Sequence, residues 1–211
     1  MKIKLFQDLF ERYSNLGLTY SADRPIAIRG LERRLLHTLN TVGGYGIFNI
    51  YLHRCLLWQR SVPALKRIPN FHGAPIPTWS WMAYEGGIKY MDIPFGEVSW
   101  AEEIASPFGP GAPEMVGHAT MSTIHAPVWG LVEGLDHQLI LDDPLRESPR
   151  HLKCVVVGMS KHSEVQPQVH YALLVAHSSR EKPGMYERIG VAVLERQHIT
   201  FDRSSVKVCI S

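Results

Sequence analysis

The apolar residues of this chain change their spacing near Pro75, and that change limits the fold more than any other feature. Before it, Leu5, Phe6, Leu9, Phe10 and Tyr13 fall at helical intervals, with Lys4, Asp8, Glu11 and Arg12 on other faces. After it come short apolar runs separated by turn-forming residues, the pattern of strands. Helices followed by a run of strands point to an α+β architecture. The expected form is an N-terminal helical layer packed on a predominantly antiparallel β-sandwich or partly closed barrel. We expect one composite domain over 1–211, with a helical part at 1–68 and a β-rich part at 74–211.

Within the helical part, Gly17 is a natural stop for the first helix. Asp23 is placed to cap the second by accepting hydrogen bonds from first-turn amides, with Pro25 tolerated in that turn. Arg24 beside it needs only solvent. Leu31, Leu35, Leu36 and Leu39 make the buried stripe of this helix. Gly43-Gly44 breaks the chain, and 47–58, apolar nearly all round, predicts a third and central helix.

Strands are expected at 128–132, 139–141, 152–157, 171–176, 189–194 and 206–210, several of them apolar enough to be buried on both faces. Trp79 and Trp81 stand two apart, so in a strand they share one face and Ser80 takes the other. The stretch 106–117, rich in Gly and Pro, predicts a loop or flap.

An apolar share of 45% and a charged share of 20% are those of a folded chain. A net charge of +2 without a Lys/Arg block gives no footprint for nucleic acid. Charges at Lys2, Lys4, Asp8, Glu11 and Arg12 interrupt any secretory apolar stretch, and no run approaches the ~20 apolar residues of a membrane span. Cys55, Cys154 and Cys209 are widely separated and sit in apolar runs, as free thiols in a reducing compartment would. The expected location is the cytoplasm.

Several groups invite a chemical reading. Trp79 and Trp81 suit either an aromatic wall for a planar or apolar ligand or a core strand; together with Trp58 they are expected to join the helical layer to the sheet. Arg188 lies in an apolar strand, where a charge must reach solvent, meet a carboxylate or anchor a ligand. The eleven histidines include no pair at metal-ligand spacing, so no metal is expected. His72, His118 and His125 lie near the Trp pair or the flexible loop, and His72 or His118 is the candidate proton-transfer group of a catalyst. Gly158-Met159-Ser160-Lys161-His162 lacks the second Gly of a nucleophile elbow. Gly43-Gly44-Tyr45-Gly46 is neither a P-loop nor a dinucleotide fingerprint, so no cofactor is expected.

A linked set of landmarks adds a resemblance. A helix-like stretch ends in Tyr13-Ser14; Leu18-Thr19 and Asp23-Arg24-Pro25-Ile26-Ala27-Ile28-Arg29-Gly30-Leu31 follow. Then come Gly46-Ile47-Phe48, Leu56-Leu57-Trp58 and Pro77-Thr78-Trp79-Ser80-Trp81. Their order and spacing over 5–90 resemble the region downstream of the signature domain in fungal heterokaryon incompatibility (HET) proteins. Tyr186-Glu187-Arg188-Ile189-Gly190-Val191 is similar to a later segment of that family. The chain departs from the pattern at Phe6 and Phe48, where the family tends to have Trp, and at Pro25-Ile26, where it has Leu-Pro. The HET domain itself, the TIR-like part held responsible for cell death, has no counterpart here.

The resemblance implies a non-enzymatic regulatory or interaction module with a protein partner, as in allorecognition. The alternative is a cofactor-free enzyme of fungal secondary metabolism, of cyclase, isomerase or dehydratase type, acting on an apolar small molecule. Such chemistry rests mainly on shape and leaves no motif. Its site would lie where the two structural layers meet, with Trp79 and Trp81 as wall, Arg188 as fixed charge and 106–117 as lid.

Overall fold

The computed structural model describes residues 2–68, 76–108, 123–135, 138–145, 151–161, 167–178, 184–201 and 207–211. Its helical part holds α1 (Lys2–Ser14), α2 (Arg24–Leu39) and the short α3 (Leu52–Leu56). The short strands β1 (Gly43–Gly44) and β2 (Ile47–Phe48) lie between α2 and α3, and β3 (Trp58–Arg60), β4 (Lys66–Arg67), β5 (Tyr84–Glu85) and β6 (Ile88–Tyr90) follow α3. The remaining strands form one sheet: β7 (Val98–Trp100), β8 (Ile124–Pro127), β9 (Trp129–Leu131), β10 (Leu139–Leu141), β11 (Lys153–Ser160), β12 (Val169–His177), β13 (Met185–Glu195), β14 (Ile199–Thr200) and β15 (Lys207–Ile210). No helix among the described residues is long and apolar enough to cross a membrane.

The α+β expectation holds, and the sheet is mostly antiparallel. Its order is β14-β9-β11-β12-β13-β15-β8, with β7 also on β11 and β10 also on β13. Only β13 and β15 run parallel among the described pairs of this sheet. Five strand-to-strand steps separate β9 from β8 along this path, yet only Val128 separates them in the chain. Laid flat, strands about 4.8 Å apart would place them more than ~20 Å from each other. Two peptide links reach at most ~7 Å. The sheet therefore curls back on itself, and the bend at Val128 joins the edge strand β8 to β9, one strand in from the other edge, with no closing ladder among the described residues.

Both faces of the central strands are covered, which explains their continuous apolar runs. Tyr171, Leu173 and Val175 of β12 join the main core with α1, α2 and α3, while Ala172, Leu174 and Ala176 join a second cluster with Leu135 and Ile199. The main core runs from Ile3 to Ile210 and so binds the helical and β-rich parts into one interior. Polar contacts lock α1 in place: Ser14 Oγ accepts from the Ile88 amide at 2.9 Å and Glu11 Oε1 from the Tyr90 amide at 2.7 Å.

Several local expectations are corrected. The buried face of α1 is Ile3, Phe6, Phe10 and Ser14, while Leu5 is exposed. Asp23 makes no side-chain cap, because it already has helical angles at the end of a 3-10 turn and a capping residue needs extended ones. Arg24 is buried, donating to Gly86 O at 3.1 Å and Ser14 O at 3.0 Å. The stretch 47–58 is not one helix. Tyr45 (φ 53°) and Gly46 (φ 79°) form a two-residue hairpin turn between β1 and β2, of the left-handed kind that matches strand twist. A 3-10 turn, α3 and β3 then follow.

Candidate functional site

The layers meet at Thr78-Trp79-Ser80-Trp81, and this segment is a turn leading into a 3-10 helix (Trp81–Ala83), not a strand. Ser80 sets that geometry. Its hydroxyl accepts from the Met82 amide at 3.1 Å, capping the 3-10 turn, and donates to Tyr45 O at 2.7 Å. A turn does not alternate its side chains as a strand does, so the two indoles separate. Trp81 packs against Phe10 and Tyr13 of α1, at 5.3 and 6.1 Å between ring centroids. Trp79 lies edge-on to Tyr45 (6.1 Å) and Phe108 (6.3 Å). Both are fully buried, with 0% and 1% of their surface exposed. They are two separate core contacts.

The charged centre of the junction is Arg188, 1% exposed. A β-bulge puts it there. Leu174 pairs with Gly190 and Val175 with Arg188, so Ile189 is the extra residue on β13. Paired residues share a face, and the bulge thereby turns Arg188 to the main-core side, together with Val191, which pairs with Leu173. Its guanidinium grips Asp142 with two bonds, Nε to Oδ2 at 3.0 Å and Nη2 to Oδ1 at 3.1 Å. It also donates to Leu56 O (2.7 Å) and Trp58 O (2.5 Å), the backbone between α3 and β3. Four of its five N–H donors are thus used inside the protein. The guanidinium carbon sits 3.2 Å from the Trp58 ring centroid, a cation–π stack.

Surrounding groups complete this centre. Thr78 Oγ1 accepts from the Arg188 amide at 2.8 Å and donates to Ser211 O, tying the Trp turn to β13 and to the end of β15. Trp58 Nε1 donates to Trp79 O at 2.9 Å. Burial pushes the Asp142 carboxyl above the ordinary carboxylate range, and the Arg188 charge opposes that rise. Burial likewise raises the Tyr84 phenol, whose hydroxyl is 3.5 Å from Arg188 O. The arrangement holds a charge pair in an apolar interior and fixes three chain segments around it.

Of the residues singled out by sequence, Trp79, Trp81 and Arg188 are brought to one junction. His72 and His118 lie outside the described residues. So does most of the proposed lid 106–117; its described start, Ser106 to Phe108, is docked on Trp79 through Phe108. Sequence reasoning missed Asp142 and Thr78. The available signal for Asp142 was a carboxylate directly after the apolar run 139–141, in a chain whose buried Arg188 needed one. Among the described residues no group of three or more His, Cys, Asp or Glu is placed to hold a metal ion.

Compared with protein-family models, curated proteins and solved structures, the chain gives no significant match.

Proposed function

We propose that this chain is a regulatory or interaction module, similar to the part of HET allorecognition proteins downstream of the death-inducing domain, and that it works in the cytoplasm on a protein partner. One observation carries the reading. The residues best suited by type to line a ligand site at the junction, Trp79, Trp81 and Arg188, are buried and engaged with the protein's own groups. They hold the layers together, which leaves recognition to the surface. There, apolar side chains cluster in sequence about the link from α1 to α2: Leu16 (58% exposed), Tyr20 (70%) and Ile26 (48%). The proposal places the partner's contact on this link, since an exposed apolar patch favours a protein contact over a solvated face.

The test is to mix the purified chain with a purified HET-domain protein from the same organism and follow the pair by size-exclusion chromatography with light scattering. Co-elution as a stoichiometric complex, lost with Leu16→Ser and Tyr20→Ser together, is the expected result. Separate elution at tens of micromolar, with saturable binding of an apolar small molecule instead, would favour the enzyme alternative.

A further inference from the structure

A thiol and an imidazole meet on the outer face of the curled sheet, away from the buried junction. Val208 and Ile210 of β15 and Ile124 and Ala126 of β8 face the main core, so Cys209 and His125 between them face the other way. The two are direct partners in the ladder, and Cys209 Sγ lies 3.4 Å from His125 Nδ1. On the other side of the ring, Nε2 is 3.2 Å from Thr123 Oγ1. A thiol donates to Nδ1 only when that nitrogen is bare. The ring proton then sits on Nε2, and the Thr123 hydroxyl oxygen accepts it. Nucleophile, base and orienting group stand in the order that activates a thiol.

Access and rigidity fit the same reading. His125 is exposed and Cys209 half-buried. The His125 backbone is held by β15 on one side and by the Ala105 amide, 2.9 Å from His125 O, on the other. The remaining thiols differ in kind. Cys55 and Cys154 are buried, and burial pushes each up to about 12, leaving almost no thiolate at neutral pH.

We propose that Cys209, activated by His125, is a covalent modification site for soft carbon electrophiles of the α,β-unsaturated carbonyl class. The Cys209 proton passes to His125 Nδ1 as the sulfur bonds to the β-carbon. The carbon–carbon π pair shifts toward the carbonyl as an enolate, and the His125 imidazolium returns the proton to the α-carbon. The product is a thioether; nothing leaves, and no oxidant or reductant is consumed. Thr123 is a positioning residue that holds the ring in the tautomer with Nδ1 bare.

The probe is N-ethylmaleimide, with sites read by peptide mass spectrometry and rates taken at pH 7. With an imidazole nitrogen 3.4 Å from the sulfur to take its proton as the carbon–sulfur bond forms, Cys209 should react about three- to tenfold faster than N-acetylcysteine, which has no base beside it. Cys55 and Cys154 should stay unlabelled in the folded chain. His125→Gln should bring Cys209 down to the N-acetylcysteine rate, and imidazole in the buffer should restore part of the loss, which a purely structural role would not allow. If His125→Gln does not fold, Thr123→Val decides in its place, with an expected loss of about twofold or more. A Cys209 no faster than N-acetylcysteine, a rate indifferent to these substitutions, or prior labelling of Cys55 or Cys154 would overturn the proposal.

Discussion

Arg188 and Asp142 form a two-bonded ion pair buried between β13 and the end of β10, with side-chain exposures of 0% and 3%. The pair gains its importance from what else the guanidinium holds, namely the carbonyls of Leu56 and Trp58 and the Trp58 ring. Helical part, β3 and central sheet converge on one side chain.

Removing one partner of this pair leaves the other charge buried and alone. Asp142→Ala should cost about 3–5 kcal/mol of folding stability, the usual penalty for breaking a buried pair. Urea denaturation measures it. A loss below ~1 kcal/mol would show that solvent reaches the guanidinium when the carboxylate is gone.

Trp79→Ala empties a fully buried site between Tyr45 and Phe108. The expected cost is about 3–5 kcal/mol, that of truncating a large core aromatic. An unchanged melting temperature would contradict the packing described at the junction.

Gly46→Ala tests the hairpin turn. Gly46 has φ +79°, and a Cβ there would fall 2.3 Å from Trp81 Nε1. Left-handed strain alone costs roughly 1–2 kcal/mol, and the backbone must also move off the buried indole. The variant should be clearly less stable than wild type, whereas Gly134→Ala, equally left-handed at φ +82° but with open space around it, should show the strain alone.

The pattern of what sequence revealed follows from the range of the forces involved. The strands expected at 139–141, 152–157, 171–176, 189–194 and 206–210 fall on β10, β11, β12, β13 and β15 because each is an apolar run between turn residues, whereas the short β7 and β8 carried no such run. The helical part was half legible. Apolar runs such as 47–58 carry no period to separate helix from strand, and the decisive signal was the hairpin turn at Tyr45-Gly46. Trp79 and Trp81 mimic strand alternation, while the Ser80 hydroxyl, a local cap, makes a turn of them. The Arg188–Asp142 pair joins residues 46 apart and the Cys209–His125 pair residues 84 apart. No local rule reaches so far; the ladder of β8 on β15 and the bulge at Ile189 create those meetings.

Acid should weaken the protein through His53. Burial lowers the affinity of this imidazole for a proton, against the opposing effect of its hydrogen bond to Ala101 O at 2.8 Å. A group with a lowered folded value stays neutral while the unfolded chain takes up its proton near pH 6.5. Stability is therefore fully present above that pH and falls as the pH drops from ~6.5 toward the lower folded value. Buried His170 is shifted in the same direction and adds to the slope. Melting temperature followed from pH 7.5 to 5.5 should decline, and His53→Gln should flatten part of the decline. A slope identical in the variant would remove His53 from the account.

On the proposed function, the Trp79–Trp81–Arg188 junction maintains the fold and the partner binds at the surface. The most direct measurement is growth arrest in a filamentous fungus expressing a HET-domain effector of the same organism, with and without this chain. The chain should change the extent of arrest. Leu16→Ser with Tyr20→Ser should abolish the change while leaving the melting temperature of the purified protein within a degree or two of wild type. Arrest unaffected by the wild-type chain, or affected equally by the surface variant, would contradict the proposal.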